Sequence, residues 1–194
     1  MKLRLALAAS TALLFVATPA LADHHAGAAE ATAPTAQSEH DKLFALFDDA
    51  DARELALNPL NRLFRGEDEN AGRLGDLLTD SSFLAARTDI KLNLALLAQI
   101  DRDKLNETDA LAYDVFKYTQ ERALAGTTDE IRALTEVRPI NHFFGLHTFY
   151  PNFASGKGVA PFKTLANYED NLSRHNDYID FVDRAIAKFR EGMK

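Results

Sequence analysis

From residue 38 onward, apolar residues recur at the spacing of amphipathic helices, and the first such stretch has clear ends. Ser38 can cap a helix, with Asp41 three residues on as its capping-box partner. Asn58-Pro59 ends the helix, because a residue before proline avoids the α region. Residues 61–79 show no helical period and predict an irregular connection. The apolar positions of the predicted helix are Leu43, Phe44 and Phe47.

Two longer helices are predicted in the middle of the chain. The first runs roughly from Ser81 to Ile100. The second is capped by Asn106, has Asp109 at the capping-box position and stops at Gly126. Each has an apolar stripe that we expect to face the core. The stripes are Phe83, Ile90, Leu94, Leu97 and Ile100 in the first, and Leu111, Val115, Tyr118 and Arg122, widened by Tyr113 and Phe116, in the second.

The last third of the chain predicts one short helix and one long helical region. Residues 127–137 form the short helix, capped by Thr127 or Thr128. Thr164 caps the final region, which is either one helix or a hairpin that bends near residues 175–176. Its cleanest stripe is Ile179, Val182, Ile186 and Phe189. No segment predicts a strand, so we expect an all-α, irregular bundle of five to six helices over residues 38–194.

An aromatic-rich segment, residues 141–153, has neither the helical nor the strand period. Long loops of this kind are usually functional or packed under another element. We therefore predict a loop that is functional or packed under another element. The candidate residues are Asn141, His142, Phe143, Phe144, His147, Phe149 and Tyr150.

Residues 1–22 have the three-part pattern of a signal peptide. Lys2 and Arg4 precede an apolar run at 5–17, and small residues at Ala20 and Ala22 predict cleavage after Ala22. The alternative is a membrane anchor, but the apolar run is too short to span a bilayer comfortably. We therefore expect a periplasmic or secreted protein that has no membrane association after cleavage.

Residues 23–37 follow the leader and contain almost no large apolar side chain. They are rich in Ala, Thr, Gly and Pro, and they cannot bury enough surface to offset the chain entropy of folding. We therefore predict a disordered linker between the leader and the helical domain.

Composition narrows the classes of function. Loss of the leader, which carries two basic residues and no acidic one, changes the formal net charge from −7 to −9. Such an acidic surface disfavours nucleic acid and anionic lipid as partners. The chain has no cysteine, which excludes thiol nucleophiles, cysteine zinc sites and disulfides. Stability must therefore come from a hydrophobic core.

The ionisable residues do not form a recognisable catalytic motif. The zinc-peptidase pattern needs two histidines four apart on a helix with Glu after the first, whereas His142 and His147 are five apart. In a loop, these two side chains could still converge on a metal. His24 and His25 follow the predicted cleavage site, where a free amine and nearby imidazoles can bind Cu(II) or Ni(II). The chain has no Gly-x-Ser-x-Gly elbow.

Several short motifs recur in the order seen in one bacterial family. They are Asn58-Pro59, the segments 98–105 and 109–116, Pro139-Ile140-Asn141-His142, Pro161-Phe162-Lys163-Thr164, the segment 167–172, and Phe189-Arg190-Glu191-Gly192. From roughly Leu43 to Lys194, the chain resembles the N-terminal part of domain of unknown function 885 (DUF885). His142 departs from the family pattern, in which glutamine is common at this position.

The resemblance implies a helical N-terminal region of a longer, exported, zinc-peptidase-like hydrolase. Family members carry a His-Glu…His metal motif in their C-terminal half, and this chain has no counterpart of it, so no ligand carries over. Zinc and peptide substrates are then implied for the full-length family only. The segment 141–153 would pack against the missing catalytic half or line the cleft.

Two other hypotheses stay open. The chain could be a stand-alone periplasmic binding module without catalysis, or a small metal-binding protein. The metal-binding hypothesis uses His24, His25, His142 or His147.

Overall fold

The computed structural model describes residues 37–194, and every regular element in this range is helical. The predicted leader, and all but the last residue of the predicted linker, lie outside the described residues. The α-helices are α1 (Glu39–Leu57), α2 (Pro59–Arg65), α3 (Asp80–Leu97), α4 (Glu107–Ala125), α5 (Asp129–Thr135), α6 (Leu146–Ala154) and α7 (Leu165–Gly192), and a 3₁₀ helix spans Arg102–Lys104.

The all-α prediction is confirmed, and the described residues contain seven α-helices rather than five to six. The two additional helices, α2 and α6, lie in segments predicted to be irregular. Proline accounts for α2: Pro59 ends α1 and also occupies the first position of the next helix, where a missing N–H costs nothing. None of the helices in residues 37–194 is long and apolar enough to cross a bilayer.

The predicted helix caps are confirmed. The Ser38 hydroxyl accepts a hydrogen bond from the backbone N–H of Asp41 at 3.1 Å, and the Ser38 backbone N–H donates to the Asp41 carboxylate at 3.3 Å. The side chains of Asn106, Thr128 and Thr164 each accept a backbone hydrogen bond at the start of α4, α5 and α7. The reciprocal capping-box bond is present at Thr164, whereas Asp109 accepts from the Asn106 side chain instead. These local hydrogen bonds fix where the helices begin.

One core cluster joins α1, α3 and α4. Helix α3 packs along both of the others, which barely touch each other. The cluster lies where α1 begins, α3 ends and α4 begins, and each fully buried leucine contributes about 2 kcal/mol. Its buried members are Leu43, Leu46, Leu97 and Ile100, with Phe47, Leu96, Leu105, Tyr113 and Phe116 packed against them.

A second cluster joins α2, the segment after it, α6 and the segment before α7. Its buried members are Leu63, Ala71, Leu74, Tyr150, Phe153 and Ala160. Helix α7 is tied to this region by polar contacts. Asp177 accepts hydrogen bonds from the side chain of Arg73 at 3.0 Å and from the backbone N–H of Leu74 at 2.9 Å.

The structure corrects the predicted core face of α4. Leu111, Val115 and Tyr118 were expected to be buried, but they are 65%, 55% and 63% exposed. The face that contacts the core instead carries Tyr113 and Phe116. Both faces of α4 are apolar, so the sequence pattern could not indicate which one meets α3.

Helix α7 is one continuous helix, which decides between the two predicted forms. Its predicted stripe lies only at the edge of the packing face, since Ile179 and Ile186 are exposed while Val182 and Phe189 are half buried. The buried positions are Asn171, Arg174, Phe181 and Ala185. The segment around Ala71 and Leu77 covers this second face, where the carbonyls of those two residues accept hydrogen bonds from Arg174 and Arg184.

Candidate functional site

The aromatic segment begins with a tight turn that displays two phenylalanines. The Asn141 side-chain oxygen accepts hydrogen bonds from the backbone N–H groups of Phe143 and Phe144, both at 2.9 Å. The Asn141 N–H donates to the Phe144 carbonyl at 2.9 Å. The two rings are 68% and 70% exposed, and His142 lies against Phe143 with ring centroids 3.9 Å apart. Asn141 therefore acts as a turn former that holds apolar rings in solvent.

Gly145 connects this turn to α6 and requires the absence of a side chain. Its φ is +143°, and an added Cβ would lie 2.7 Å from Cγ2 of Ile140 and 2.9 Å from Nδ1 of His147. No other residue type fits this position without movement of its neighbours. The turn and the helix are thereby held close together.

The second half of the aromatic segment is a helix, so the prediction of a loop is wrong for residues 146–153. Helix α6 forms although Pro151 lies inside it, since Tyr150 and Phe153 are buried on one face. Tyr150 stacks on Tyr178 of α7 with ring centroids 3.8 Å apart. Tertiary burial thus outweighs the local cost of an interior proline.

The buried side of α6 has an open edge. Phe149 is half exposed and borders an apolar cavity of about 410 Å³. The cavity is lined by Leu60, Phe64, Leu77, Gly145, Leu146, Phe149 and Phe153. Phe143, Phe144 and Phe149 are thus three exposed aromatic rings within the same segment.

Several buried polar atoms between α6 and α7 have no hydrogen-bond partner among the described residues. They are Nδ1 of His147, the hydroxyl of Tyr150, Oδ1 of Asn171 and Nε of Arg174. Burial raises the pKa of Tyr150 above its usual value, an effect that the nearby Arg174 opposes. Burial likewise lowers the pKa of Arg174, whose guanidinium is 2% exposed and donates to the Ala71 carbonyl.

A larger apolar groove, which the sequence did not predict, lies between α1 and α4. The two helices diverge away from the shared core cluster, and α3 forms the floor between them. The groove has a volume of about 840 Å³. Its apolar walls include Phe47, Ala50, Leu57, Leu111, Ala112, Val115 and Phe116, and its floor includes Ala86 and Ile90.

The floor of this groove also carries an ordered polar network. Asn93 is buried and accepts a hydrogen bond from Arg53 at 2.6 Å. Its amide nitrogen donates to Asp89 and to Gln120, both at 3.2 Å. This network links α1, α3 and α4, and it places fixed donors and acceptors beneath an apolar opening.

The predicted site residues are thus divided between two environments. His142, Phe143, Phe144 and Phe149 face solvent, whereas Tyr150 is in the core and His147 is half buried. Within residues 37–194, no group of three or more His, Cys, Asp or Glu side chains is placed to hold a metal ion. The His142–His147 metal hypothesis stays a prediction, and His24 and His25 lie outside the described residues.

One feature of the sequence indicates the groove. Helix α4 has more apolar positions than one interface needs, since Leu111 and Val115 lie on one side and Tyr113 and Phe116 on another. A helix with two apolar faces indicates a second packing surface.

The comparisons with known proteins agree with the resemblance noted from the motifs. The family model described as bacterial protein of unknown function (DUF885) matches residues 59–194, more than two thirds of the chain. Neither a search of curated proteins nor a search of solved structures gave a match. The matched range begins at the first residue of α2 and includes both the aromatic segment and α7. The chain therefore belongs to the DUF885 family.

Proposed function

We propose that this chain is the helical N-terminal region of an exported, zinc-peptidase-like DUF885 protein, and that its groove docks the catalytic half. The observation that carries the proposal is the apolar groove between α1 and α4, whose wall residues Leu111 and Val115 are more than half exposed. Large apolar patches with ordered polar surroundings are typical of protein–protein contacts.

The dimensions of the groove suit a helix. Its α4 wall extends from Thr108 to Ala123, which corresponds to about 22 Å, or four helical turns. Helices α1, α3 and α4 line the groove on three sides, so a helix seated in it completes a four-helix arrangement. Gln120, on the α4 wall and held by Asn93, offers a polar anchor for a side chain of the incoming helix.

Zinc is assigned to the other half. A catalytic zinc site needs three protein ligands, and the proposal places all three in the catalytic half. The contribution of this chain is a rigid wall. The exposed rings of Phe143, Phe144 and Phe149 are suited to pack against the catalytic half or to line a cleft for apolar peptide side chains.

The docking proposal is tested with a catalytic half supplied as a separate polypeptide from a full-length family member. We expect a complex that hydrolyses peptides only when both parts and zinc are present. Leu111→Asp and Val115→Asp, which place charges on the groove wall, should weaken the complex at least tenfold. Lys117→Asp, on the exposed side of the same helix, is the matched control and should leave it unchanged.

Two results would contradict the proposal. One is that the groove variants keep their helical content and still bind the catalytic half normally. The other is peptide hydrolysis by this chain alone that a substitution within residues 38–194 abolishes.

The second candidate is a stand-alone periplasmic binding module. It is favoured by the Asn93 network, since fixed polar groups under an apolar opening also suit a small amphipathic ligand. Asn93→Leu distinguishes the two candidates. Loss of small-ligand binding by the isolated chain supports the module, whereas loss of association with the catalytic half supports docking.

A further inference from the structure

Helix α7 carries a seven-residue apolar repeat on its outer side. Leu165, Leu172, Ile179 and Ile186 are each seven residues apart and are 74%, 65%, 57% and 42% exposed. A second set, three residues further along, is Tyr168, His175, Val182 and Phe189. Tyr168 is exposed, whereas the other three are half buried, with the His175 ring against Tyr150 of the same domain. The two sets are the a and d positions of a coiled coil, and they extend over four heptads, enough for a stable pair of helices.

The repeat is held in a fixed orientation. The neighbouring face of α7 is buried in its own domain through Arg174, Phe181 and Ala185. Capping of the first turn by Thr164 and Asn167 orders the start of the helix. The a and d residues of α7, called the α7 seam below, therefore form a preformed surface on a helix of 28 residues.

The charged residues beside the seam on one copy can pair with those beside the seam on a second copy. Position e of successive heptads is occupied by Glu169, Asn176, Asp183 and Arg190, all exposed. In an antiparallel pair of coiled helices, e positions face e positions of the other helix. When Ile179 packs against Val182 of a second copy, Glu169 lies opposite Arg190, and the two-fold axis repeats the contact.

This match is specific to the antiparallel direction. A parallel pair would place position e opposite position g of the other copy, and the g positions Asn171, Tyr178 and Ala185 are uncharged. Neither Glu169 nor Arg190 forms an ion pair within residues 37–194. Both charges are therefore available to a partner.

We propose that two copies of this chain pair antiparallel through α7, with mutual Glu169–Arg190 ion pairs that set direction and register. The pairing produces a symmetric interface in which each copy contributes the same surface, the commonest arrangement of soluble oligomers. It goes beyond the docking function, because the α7 seam and the α1–α4 groove are lined by different residues.

A charge-reversal cycle tests the pairing. The protein is expressed from residue 1 to residue 194 and purified in the form that accumulates, and its mass is followed by sedimentation over a range of concentrations. We expect a dimer. Glu169→Arg and Arg190→Glu should each raise the dimer dissociation constant about tenfold, because two ion pairs become two like-charge contacts. The double variant, Glu169→Arg with Arg190→Glu, should restore the dissociation constant of the natural protein.

Ile179→Asp should abolish the dimer, since it buries a charge at the centre of the seam. The matched control is Ala187→Asp, an exposed position of α7 outside the seam, which should leave the dimer intact. Circular dichroism checks that each variant keeps its helical content. The groove variant Leu111→Asp should dimerise normally, so a failure of the catalytic half to bind and a failure to dimerise remain distinguishable.

Disulfide cross-linking tests the relative direction of the two α7 helices. Only the introduced cysteine can react, because the chain has no cysteine of its own. In an antiparallel pair, the two copies of position 165 are about 46 Å apart, so Leu165→Cys should form no disulfide. A monomer at every concentration, a charge cycle without rescue, or a Leu165→Cys disulfide would each overturn the proposal.

Discussion

At the scale of single residues, the turn before α6 shows how two side chains determine a surface. Asn141 closes the turn through its side-chain oxygen, and Gly145 allows the chain to enter the helix beside Ile140. Phe143 and Phe144 are exposed as a consequence. The display of these rings depends on backbone geometry rather than on packing of the rings themselves.

Gly145→Ala should therefore destabilise the fold more than an ordinary glycine substitution. The matched control is Gly158→Ala, where φ is also positive, at +71°, but nothing lies within 4 Å of the added Cβ. We expect a loss of about 1 kcal/mol for the control from backbone strain, and about 2–4 kcal/mol for Gly145→Ala because a steric clash is added. Urea unfolding measures both, and equal losses would show that the close contact with Ile140 is unimportant.

Tyr150 makes stability sensitive to alkaline pH. Burial holds its pKa above the value of 10.0 in the unfolded chain. A raised pKa means that the folded state keeps the proton longer, so the contribution is present below about pH 10 and is lost as pH rises beyond it. The free energy of unfolding of the Tyr150→Phe variant should fall less than that of the natural protein as the pH rises from about 8 to about 10.5. Tyr168→Phe, at an exposed position, is the control and should behave as the natural protein does.

At the scale of elements, α4 has two apolar faces with different roles. Phe116 packs on the core cluster and against Phe47, with ring centroids 4.9 Å apart. Leu111 lies on the open groove. The same residue class thus supports folding at one position and is available for a partner at the other.

This difference is measurable. Phe116→Ala should lower the free energy of unfolding by about 2–3 kcal/mol, since it removes a largely buried ring. Leu111→Ala should change it by less than about 0.5 kcal/mol, apart from a small gain in helix propensity. Urea unfolding of the two variants compares the faces directly. A large loss from Leu111→Ala would mean that the groove is closed in solution.

At the scale of the whole molecule, the described helices form two core clusters and leave three apolar surfaces open. The surfaces are the α1–α4 groove, the aromatic rings around Phe143 and Phe149, and the α7 seam. A monomeric protein rarely leaves this much apolar surface in water. The docking and pairing proposals both rest on these open surfaces.

Export is a prediction about the whole chain, and it concerns residues outside the described range. Expression in a Gram-negative host should yield a periplasmic protein whose N-terminus is Asp23, as measured by intact mass. Ala22→Phe should block processing, because a bulky side chain does not suit the −1 position. Ala12→Phe, inside the apolar run, should leave cleavage intact. Retention of residues 1–22 in the natural protein would contradict the prediction.

The sequence by itself determined where most of the helices begin, and the all-α class of the domain. Caps such as Ser38, Asn106 and Thr164 bond to backbone groups only a few residues away, so local sequence contains the necessary information. The motif order was likewise sufficient to indicate the family. Tertiary structure decided which apolar face is buried, because that choice depends on neighbours distant in sequence. It selected Phe116 over Leu111 on α4 and Phe181 over Ile179 on α7, and it made α6 a helix through burial of Tyr150.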